Sequence, residues 1–277
     1  MNKHAAGNLE YYSFANLDAH QQVTCCVTSR AGGLSAGAFE SLNLGLRTED
    51  EYDAVVDNRA QLSLITNAFP DLLTFGCQVH GSNVSVVTGD LIGSGAGDPD
   101  SAIADTDAMV TNISDVPLVV LVADCCPVAF FDPVGGAIGI AHAGWRGTVA
   151  GIAAAAINTM TAEFGTDPAD IIAGIGPSIG PCCYQVGEEV VGRFRAEYPD
   201  LNDLVFDRTR GKKPYFDLWH ANRLILNGAG VQDSNIETAG LCTVCHKETF
   251  FSHRADSGNT GRFGALIMLH DRTGRQF

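Results

Sequence analysis

Residues 116–148 read VPLVVLVADCCPVAFFDPVGGAIGIAHAGWRGT and contain two apolar runs bounded by Gly, Pro and Asp. Continuous apolar runs of this length are typical of buried strands in an α/β or α+β core. The first run, 116–123, leads to Cys125, and the second, 136–141, leads to His142. The pattern therefore predicts neighbouring buried strands that bring a thiol and an imidazole together.

A third residue able to bind a metal follows another short apolar run, because His80 lies in the segment QVHG at 78–81. Two imidazoles and a thiolate suit zinc with an open fourth position, which is the arrangement of a catalytic zinc site. A nucleophilic pair of Cys125 and His142 without a metal would use the same side chains, so both interpretations stay open. Asp124 would point to the opposite face of a regular strand from Cys125, so we expect it to be a hydrogen-bond partner rather than a ligand.

The composition limits the class of protein. The chain has 277 residues and a formal net charge of −15 at pH 7, which argues against non-specific binding to nucleic acid or to a membrane surface. The sequence shows no signal peptide and no apolar run as long as a membrane span. Nine cysteines, an odd number with three adjacent pairs, are typical of reduced thiols in a cytoplasmic protein. No linker or repeat divides the chain, so we predict one domain over residues 1–277, with residues 1–20 at its periphery.

Apolar periodicity predicts mixed strands and helices along the rest of the chain. The predicted elements are strands at 23–29, 170–174 and 263–269, a strand pair at 72–78 and 84–88 around His80, and helices at 53–65, 186–197 and 217–228.

A further group of residues suits anion binding. Thr148 is predicted to cap a helix that runs to Phe164, and the free N–H groups of that helix start, with Arg146 beside them, suit a phosphate. Arg30, in a glycine-containing loop, and Asn43 are additional candidates for contact with phosphate or ribose. A surface turn with a solvated arginine, and an ordinary strand-turn-helix connection, explain the same residues without a ligand.

Two short motifs near the C-terminus do not support the chemistry that they suggest. Residues 242–246, CTVCH, match the C-x-x-C-H pattern of haem attachment, but covalent haem of that type is assembled outside the cytoplasm. Residues 246–248, HKE, match the first half of the zinc deaminase signature, but the P-C-x-x-C half does not follow. We therefore assign neither chemistry.

The segments around the three candidate ligands resemble the defining motifs of the laccase-domain family. These segments are QVHG at 78–81, ADCCP at 123–127 and HAGWRG at 142–147, and further similarities extend over nearly the whole chain. The family was first described as multicopper polyphenol oxidases and is now assigned as zinc-dependent purine nucleoside phosphorylases. One departure is Cys126, where members commonly carry an aliphatic residue, and we expect its thiol to fill the same apolar place.

The resemblance implies a single-domain, layered α/β/β/α sandwich with mixed sheets, related to cysteine hydrolases. It implies that His80, Cys125 and His142 are the catalytic metal ligands for zinc, with copper an alternative at the same site. It also implies phosphorolysis of adenosine, inosine and methylthioadenosine by phosphate, together with deamination of adenosine. Whether the chain is a monomer or a homodimer stays open.

Three other functions stay open at this point. One is a copper-dependent polyphenol oxidase, although a laccase cluster needs many histidines and the chain has eight, without a His-x-His pair. Another is a cysteine hydrolase acting on amides of peptidoglycan precursors, with Cys125 as nucleophile and His142 as base. The third is a zinc-binding protein without catalysis. For the phosphorylase, the residues that we consider as proton donors to the purine are Asp107, Tyr184 and His253.

Overall fold

Two six-stranded sheets and a small two-stranded ribbon make up the β structure of the residues that the structure describes. The computed structural model describes residues 1–201, 205–209 and 213–271. The predicted domain also includes residues 202–204, 210–212 and 272–277, which lie outside the described part. Among the described residues, no helix is long and apolar enough to cross a membrane.

The first sheet joins the N-terminal hairpin to the last strand of the chain. In spatial order it consists of β1 (Asn2–Ala6), β2 (Leu9–Ser13), β3 (Val23–Thr28), β14 (Phe263–Leu269), β7 (Leu118–Val122) and β4 (Thr74–Phe75). Its neighbours are antiparallel except β4 and β7, which run parallel. Residues 1–20, expected at the periphery, instead contribute to the protein interior, because Leu9, Phe14 and Leu17 are buried.

The second sheet carries most of the stretch from which the fold was predicted. In spatial order it consists of β13 (Ile236–Thr238), β10 (Ile172–Ile175), β8 (Cys126–Asp132), β9 (Ala137–Ala143), β6 (Ala108–Thr111) and β5 (Val84–Val86). Both edge pairs are parallel and the three central pairs are antiparallel. The separate ribbon pairs β11 (Phe206–Asp207) with β12 (Tyr215–Phe216).

Helices cover the outer faces of both sheets. They are α2 (Tyr52–Ala60), α3 (Ser63–Thr66), α4 (Trp145–Val149), α5 (Ile152–Phe164), α6 (Glu188–Glu197) and α7 (Leu218–Gly228). A further short helix, α1 (Ala15–Asp18), instead contacts β3 and β10 and places Leu17 in the core between the sheets. The Asp217 side chain caps α7 by accepting the N–H of His220 at 2.9 Å. The prediction that Thr148 caps a helix is wrong. Thr148 lies inside α4, and Gly151, with a φ of 76°, separates α4 from α5.

Side chains on the central strands alternate between two apolar cores, which explains why their sequences are apolar without interruption. In β9, Ile138 and Ile140 face the core between the sheets, whereas Ala141 and Ala143 face the core beneath α5 and α7. A third core lies on the outer face of the first sheet, where Leu62 packs beside α3. The order of layers is helices, sheet, sheet and helices, so the predicted mixed α/β architecture is confirmed.

The predicted strand pair around His80 is wrong in one informative respect. β4 pairs with β7 in the first sheet, whereas β5 pairs with β6 in the second sheet. The segment between them, residues 76–83, therefore crosses from one sheet to the other. This crossing places His80 at the junction of the two sheets, near the other two candidate ligands, which lie in the β7–β8 connection and in β9.

Candidate active site

His142 reaches the site from inside β9 rather than from beyond its end. Because side chains alternate along a strand, it lies on the same face as Ile138 and Ile140, toward the layer between the sheets. The side chain is 3% exposed, and its Nδ1 lies 2.8 Å from Oδ1 of Asp107. Since the carboxylate is an acceptor, Nδ1 donates to it, and Nε2 is the nitrogen that can bind a metal once it has released its own proton.

Asp107 also holds the segment that carries His80. Its carboxylate accepts the backbone N–H groups of Val79, His80 and Gly81 at 3.1, 3.0 and 2.7 Å. Burial alone would raise the pKa of Asp107, but the hydrogen bonds from His142 and from the backbone hold it below its ordinary value. Asp107 is therefore ionised and fully engaged, so it orients both histidines and has no proton to donate to a substrate.

Gln78, the first residue of the QVHG segment, ties the same segment to the first sheet. Its Nε2 donates to the carbonyl of Leu121 at 2.8 Å, and its Oε1 accepts the N–H of Leu121 at 2.8 Å. This pair of bonds resembles one rung of a strand ladder. His80 is thus fixed from both sides, through Gln78 to β7 and through Asp107 to the start of β6.

Cys125 lies in the connection between β7 and β8. Asp124, just before it, has a φ of 86°, and its carboxylate accepts the hydroxyls of Thr243 at 2.5 Å and Ser252 at 2.7 Å. The same carboxylate accepts the backbone N–H of Arg254 at 2.6 Å. Asp124 is therefore a hydrogen-bond partner, as we predicted, and it anchors the Cys125 connection to two later loops.

The three candidate ligands meet in space. The ligand atoms of His80, Cys125 and His142 lie within 4.8 Å of one another, and the two imidazole rings stand edge to face with centroids 4.8 Å apart. Burial would raise the pKa of Cys125, but His142 and His80 together lower it to about 6. Burial would likewise lower the pKa of His142, but Cys125 and Asp107 raise it to about 9. The group thus combines a readily ionised thiol with two imidazoles, which is a donor set suited to zinc.

Gly144, in the HAGWRG segment, leaves the space that these side chains occupy. A Cβ atom at this position would lie 2.8 Å from Sγ of Cys125 and 3.3 Å from Cδ2 of His80. The first distance is shorter than ordinary van der Waals contact, so any side chain at position 144 would displace the thiol.

The three residues line a cavity of about 530 Å³. This volume lies in the range of small-molecule sites, which is about 300–1,000 Å³. Apolar residues that line it include Phe75, Leu121, Ile179 and Leu218. Five arginines also line it, namely Arg47, Arg59, Arg146, Arg254 and Arg262.

These arginines differ in whether their guanidinium groups are already hydrogen-bonded to other parts of the protein. Arg59 is buried and donates to the backbone carbonyls of Leu44, Gly95 and Ala96. Arg146 is exposed, and its guanidinium lies 4.6 Å from the centroid of the Trp145 ring. Among the described residues, Arg146 forms no hydrogen bond or ion pair with another side chain. It is therefore the arginine best placed to bind an anion in the cavity.

Two predicted phosphate or ribose contacts lie outside the cavity lining. Arg30 donates to two backbone carbonyls at 2.8 and 2.9 Å and lies 4.5 Å from the centroid of the Phe251 ring. Asn43 is fully buried, and its amide group bonds to Thr48, Asp50 and two backbone N–H groups. Both residues hold protein segments together, so their proposed contact with phosphate or ribose gains no support from the geometry.

Some residues that matter at the site were not singled out from the sequence. Arg254 and Arg262 line the cavity, although local composition gave no sign of the direction in which either side chain points. The structure also gathers Cys182 and Cys183 with Cys242 and Cys245, a group that sequence reasoning did not connect. The available signal was an adjacent cysteine pair and a C-x-x-C pair within one chain.

Comparison with known proteins identifies the family. The model of a family described as multi-copper polyphenol oxidoreductase laccase matches residues 24–270. The chain belongs to this laccase-domain family. A family relative from Geobacillus stearothermophilus, named purine nucleoside phosphorylase YlmD, is 42% identical over 242 residues, which are 87% of this chain and 88% of the relative.

Two further comparisons describe the laccase-domain relatives. The crystal structure of YlmD from Geobacillus stearothermophilus matches with a TM-score of 0.91 at 36% identity, covering 97% of this chain and 98% of that one. A relative from an unknown prokaryotic organism, named adenosine deaminase RL5, is 34% identical over 235 residues, or 85% of this chain and 89% of the relative. The predicted relation of the laccase-domain fold to cysteine hydrolases stays a prediction.

Proposed function

We propose that the chain is a zinc-dependent purine nucleoside phosphorylase that acts on adenosine, inosine and methylthioadenosine. The observation that carries the proposal is the convergence of His80, Cys125 and His142 on a cavity of about 530 Å³. Relatives named purine nucleoside phosphorylase are similar over most of the chain, which supports the same assignment.

The chemistry of the donor set fits zinc. Zinc binds imidazole nitrogen and thiolate sulfur, and a catalytic site has three protein ligands with one position left open. The carboxylate of Asp107 at Nδ1 of His142 is the kind of partner that orients a zinc-bound histidine. His80, Cys125 and His142 would hold the zinc ion, which would supply a Lewis acid for an oxygen of phosphate or water.

Arg146 is the residue that we propose binds phosphate. Its planar guanidinium suits two parallel hydrogen bonds to phosphate oxygens, and it faces the cavity from the start of α4. Phosphorolysis joins a phosphate oxygen to C1′ of the ribose and breaks the bond from C1′ to the purine nitrogen. By holding phosphate beside the nucleoside, Arg146 lowers the entropic cost of bringing these two atoms together.

The departing purine has to gain a proton, and the candidate donors Asp107, Tyr184 and His253 differ in their surroundings. Asp107 is ionised, whereas Tyr184 and His253 both line the cavity. Burial raises the pKa of the Tyr184 phenol, so Tyr184 keeps its proton and can donate a hydrogen bond to the purine. We therefore assign purine contact to Tyr184 and His253.

The same site is proposed to deaminate adenosine, because one relative is named adenosine deaminase. In that reaction, water adds at C6 of the purine and the amino group leaves as ammonia, which gives inosine. Both reactions need His80, Cys125 and His142, so a substitution of any of them should lower both activities together.

One observation favours a second candidate function, a cysteine hydrolase of the kind considered from the sequence. Asp107, His142 and Cys125 are arranged in the order of carboxylate, imidazole and thiol, as in a nucleophilic triad. Such a triad would not need His80, which instead completes a set of metal ligands. Chelators therefore distinguish the two functions, since they inhibit a zinc enzyme and leave a triad active.

The experiment that tests the proposal measures products and metal in one protein preparation. Adenosine is incubated with and without phosphate, and we expect adenine and ribose-1-phosphate only when phosphate is present. Chelation should abolish this turnover and zinc should restore it. Full turnover after complete removal of metal would contradict the proposal. It would also be contradicted if the protein oxidised phenols in the presence of copper and showed no other activity.

A further inference from the structure

A second group of metal-binding side chains lies behind one wall of the cavity. Cys182, Cys183, Cys242 and Cys245 have sulfur atoms that all lie within 4.8 Å of one another, and we call them the four-cysteine cluster. The Sγ of Cys245 lies 3.6 Å from Sγ of both Cys182 and Cys183. All four residues are free cysteines in the structure. None of them takes part in the proposed phosphorylase chemistry.

The fold brings the two halves of the cluster together across about sixty residues of sequence, since Cys182 and Cys245 are 63 positions apart. An isolated bridge pairs Ser178 with Cys242, and Thr243 donates its N–H to the carbonyl of Ser178 at 3.0 Å. After this bridge each segment turns sharply. The N–H of Cys183 bonds to the carbonyl of Gly180 in one turn, and the N–H of His246 bonds to the carbonyl of Cys242 in the other.

The spacing of the sulfur atoms fits one tetrahedral ion. A Zn–S bond of about 2.3 Å places the sulfur atoms of a tetrahedral site about 3.8 Å apart. The observed separations of 3.6 Å are close to that value. Four thiolates with no fifth ligand form a closed coordination shell, which is typical of structural zinc.

The backbone also favours anionic sulfur at this place. The N–H of Gly180 points at Sγ of Cys242 over 3.2 Å, and a thiolate accepts such a bond better than a neutral thiol does. Cys242 is buried, whereas Cys182 and Cys245 are exposed, so the cluster opens toward solvent on one side. An ion can therefore enter without rearrangement of the protein interior.

We propose that the four-cysteine cluster binds one zinc ion that serves a structural role. On binding, each thiol forms a bond from sulfur to zinc and releases its proton to solvent, so no oxidant or reductant is needed. The ion would join the 178–184 turn to the 242–254 segment. These two segments carry Tyr184 and Arg254 into the cavity lining, so the metal fixes one wall of the site from behind.

Asp124 connects the four-cysteine cluster to the candidate active site. Its carboxylate binds Thr243, which lies between two cysteines of the cluster, and it directly precedes Cys125. Its carbonyl accepts the N–H of Ile179, which lies in the other turn. The four-cysteine cluster and the candidate active site are therefore joined through one residue, although they share no ligand.

The test counts zinc in whole protein purified under reducing conditions. Four proteins are compared, namely the unmodified chain, Cys125→Ser, the double variant Cys182→Ser with Cys245→Ser, and Cys25→Ala as a control cysteine outside both groups. We expect the double variant to lose about one zinc per chain and Cys25→Ala to lose none. Cys125→Ser should keep the zinc of the cluster, so failure of the proposed phosphorylase chemistry and failure of this inference give different results.

A spectroscopic readout identifies the ligands even if the double variant folds poorly. Cobalt substituted into Cys125→Ser, which keeps all four cysteines of the cluster, should show strong thiolate-to-cobalt charge-transfer absorption. Adding Cys245→Ser to Cys125→Ser should weaken that absorption and lower the melting temperature. Three results would overturn the proposal: unchanged zinc content in the double variant, iron in place of zinc, or a metal-free protein in which Cys182 or Cys183 forms a disulfide with Cys245 under reducing conditions.

Discussion

The candidate active site and the four-cysteine cluster both gather sulfur, but they differ in ligand number and in what surrounds the ligands. His80, Cys125 and His142 form an incomplete set of three, and they face a cavity of about 530 Å³. The cluster supplies four thiols, which is enough to complete a tetrahedral shell. On the two proposals made above, an open coordination position, rather than the presence of cysteine, distinguishes a site for chemistry from a site for stability.

The candidate active site and the four-cysteine cluster also differ in the groups that hold their ligands in place. A buried carboxylate, Asp107, fixes the imidazole of His142 and the backbone around His80. The cluster instead relies on backbone turns and on the N–H of Gly180. A catalytic ligand has to hold one orientation while substrate exchanges, whereas a structural ligand has to hold only the ion.

The largest effect should come from exchanging one sulfur in each group. Cys125→Ser should reduce phosphorolysis by on the order of 10²–10³-fold, the cost of removing one group that stabilises charge in the transition state. Cys245→Ser should reduce it much less and should instead lower the melting temperature. Paired measurements of turnover and thermal unfolding check this, and equal loss of turnover in both variants would erase the distinction between the two groups.

The sequence was sufficient to predict that the three candidate ligands lie close together, because each lies beside an apolar run and small residues. It also predicted β3, β7, β9 and β14, whose residues alternate between two buried faces. It did not predict that β4 and β5 belong to different sheets, since strand pairing depends on contacts far apart in the chain.

Side-chain direction was equally out of reach from local sequence. Arg30, in a glycine-containing loop, looked like a phosphate ligand, yet it is tied to two backbone carbonyls. Arg254 has no local sequence feature that predicts a role in binding, yet it lines the cavity. The four-cysteine cluster was missed for the same reason, because nothing local shows that two turns 63 residues apart meet.

A smaller effect is expected from a substitution of Asp107, the buried carboxylate that orients His80 and His142. Asp107→Asn keeps the size of the side chain but puts an N–H₂ group where an acceptor is needed. We expect zinc affinity or turnover to fall by about 10–100-fold, the usual cost of losing a partner of a metal ligand. Asp105→Asn, an exposed carboxylate two residues earlier, is the matched control. Zinc titration and steady-state kinetics on both variants make the measurement, and wild-type behaviour of Asp107→Asn would remove the orienting role.

Arg146→Gln should act on substrate and leave both metal groups intact. Loss of charged hydrogen bonds, worth about 1.5–3 kcal/mol, should raise the KM for phosphate by about 10–100-fold. Arg193→Gln is the control, because Arg193 also contacts the Trp145 ring, at 5.8 Å, yet lies outside the cavity lining. Kinetics at varied phosphate concentration provide the readout, with zinc content measured in parallel. An unchanged KM for phosphate would assign anion binding to another arginine of the cavity.

The smallest effect on turnover should come from Thr243→Val, which acts on the connection between the two groups. Valine keeps the shape of threonine but removes the hydroxyl that donates to Asp124 at 2.5 Å. A hydrogen bond to a charged acceptor contributes about 1.5–3 kcal/mol, so the free energy of unfolding in urea should fall by that amount. Thr260→Val, which removes a 2.8 Å hydrogen bond to Asp256 and lies outside both groups, controls for loss of a buried hydroxyl.

Both threonine variants should lower the free energy of unfolding, but only Thr243→Val should make zinc dissociate faster from the four-cysteine cluster. Asp124 keeps its bonds to Ser252 and to the N–H of Arg254 in Thr243→Val, so Cys125 stays in place and turnover should change only a few-fold. Zinc in the cluster should dissociate faster, because Thr243 lies between Cys242 and Cys245. If Thr260→Val released zinc equally fast, general destabilisation would explain the effect, and Asp124 would not couple the cluster to the active site.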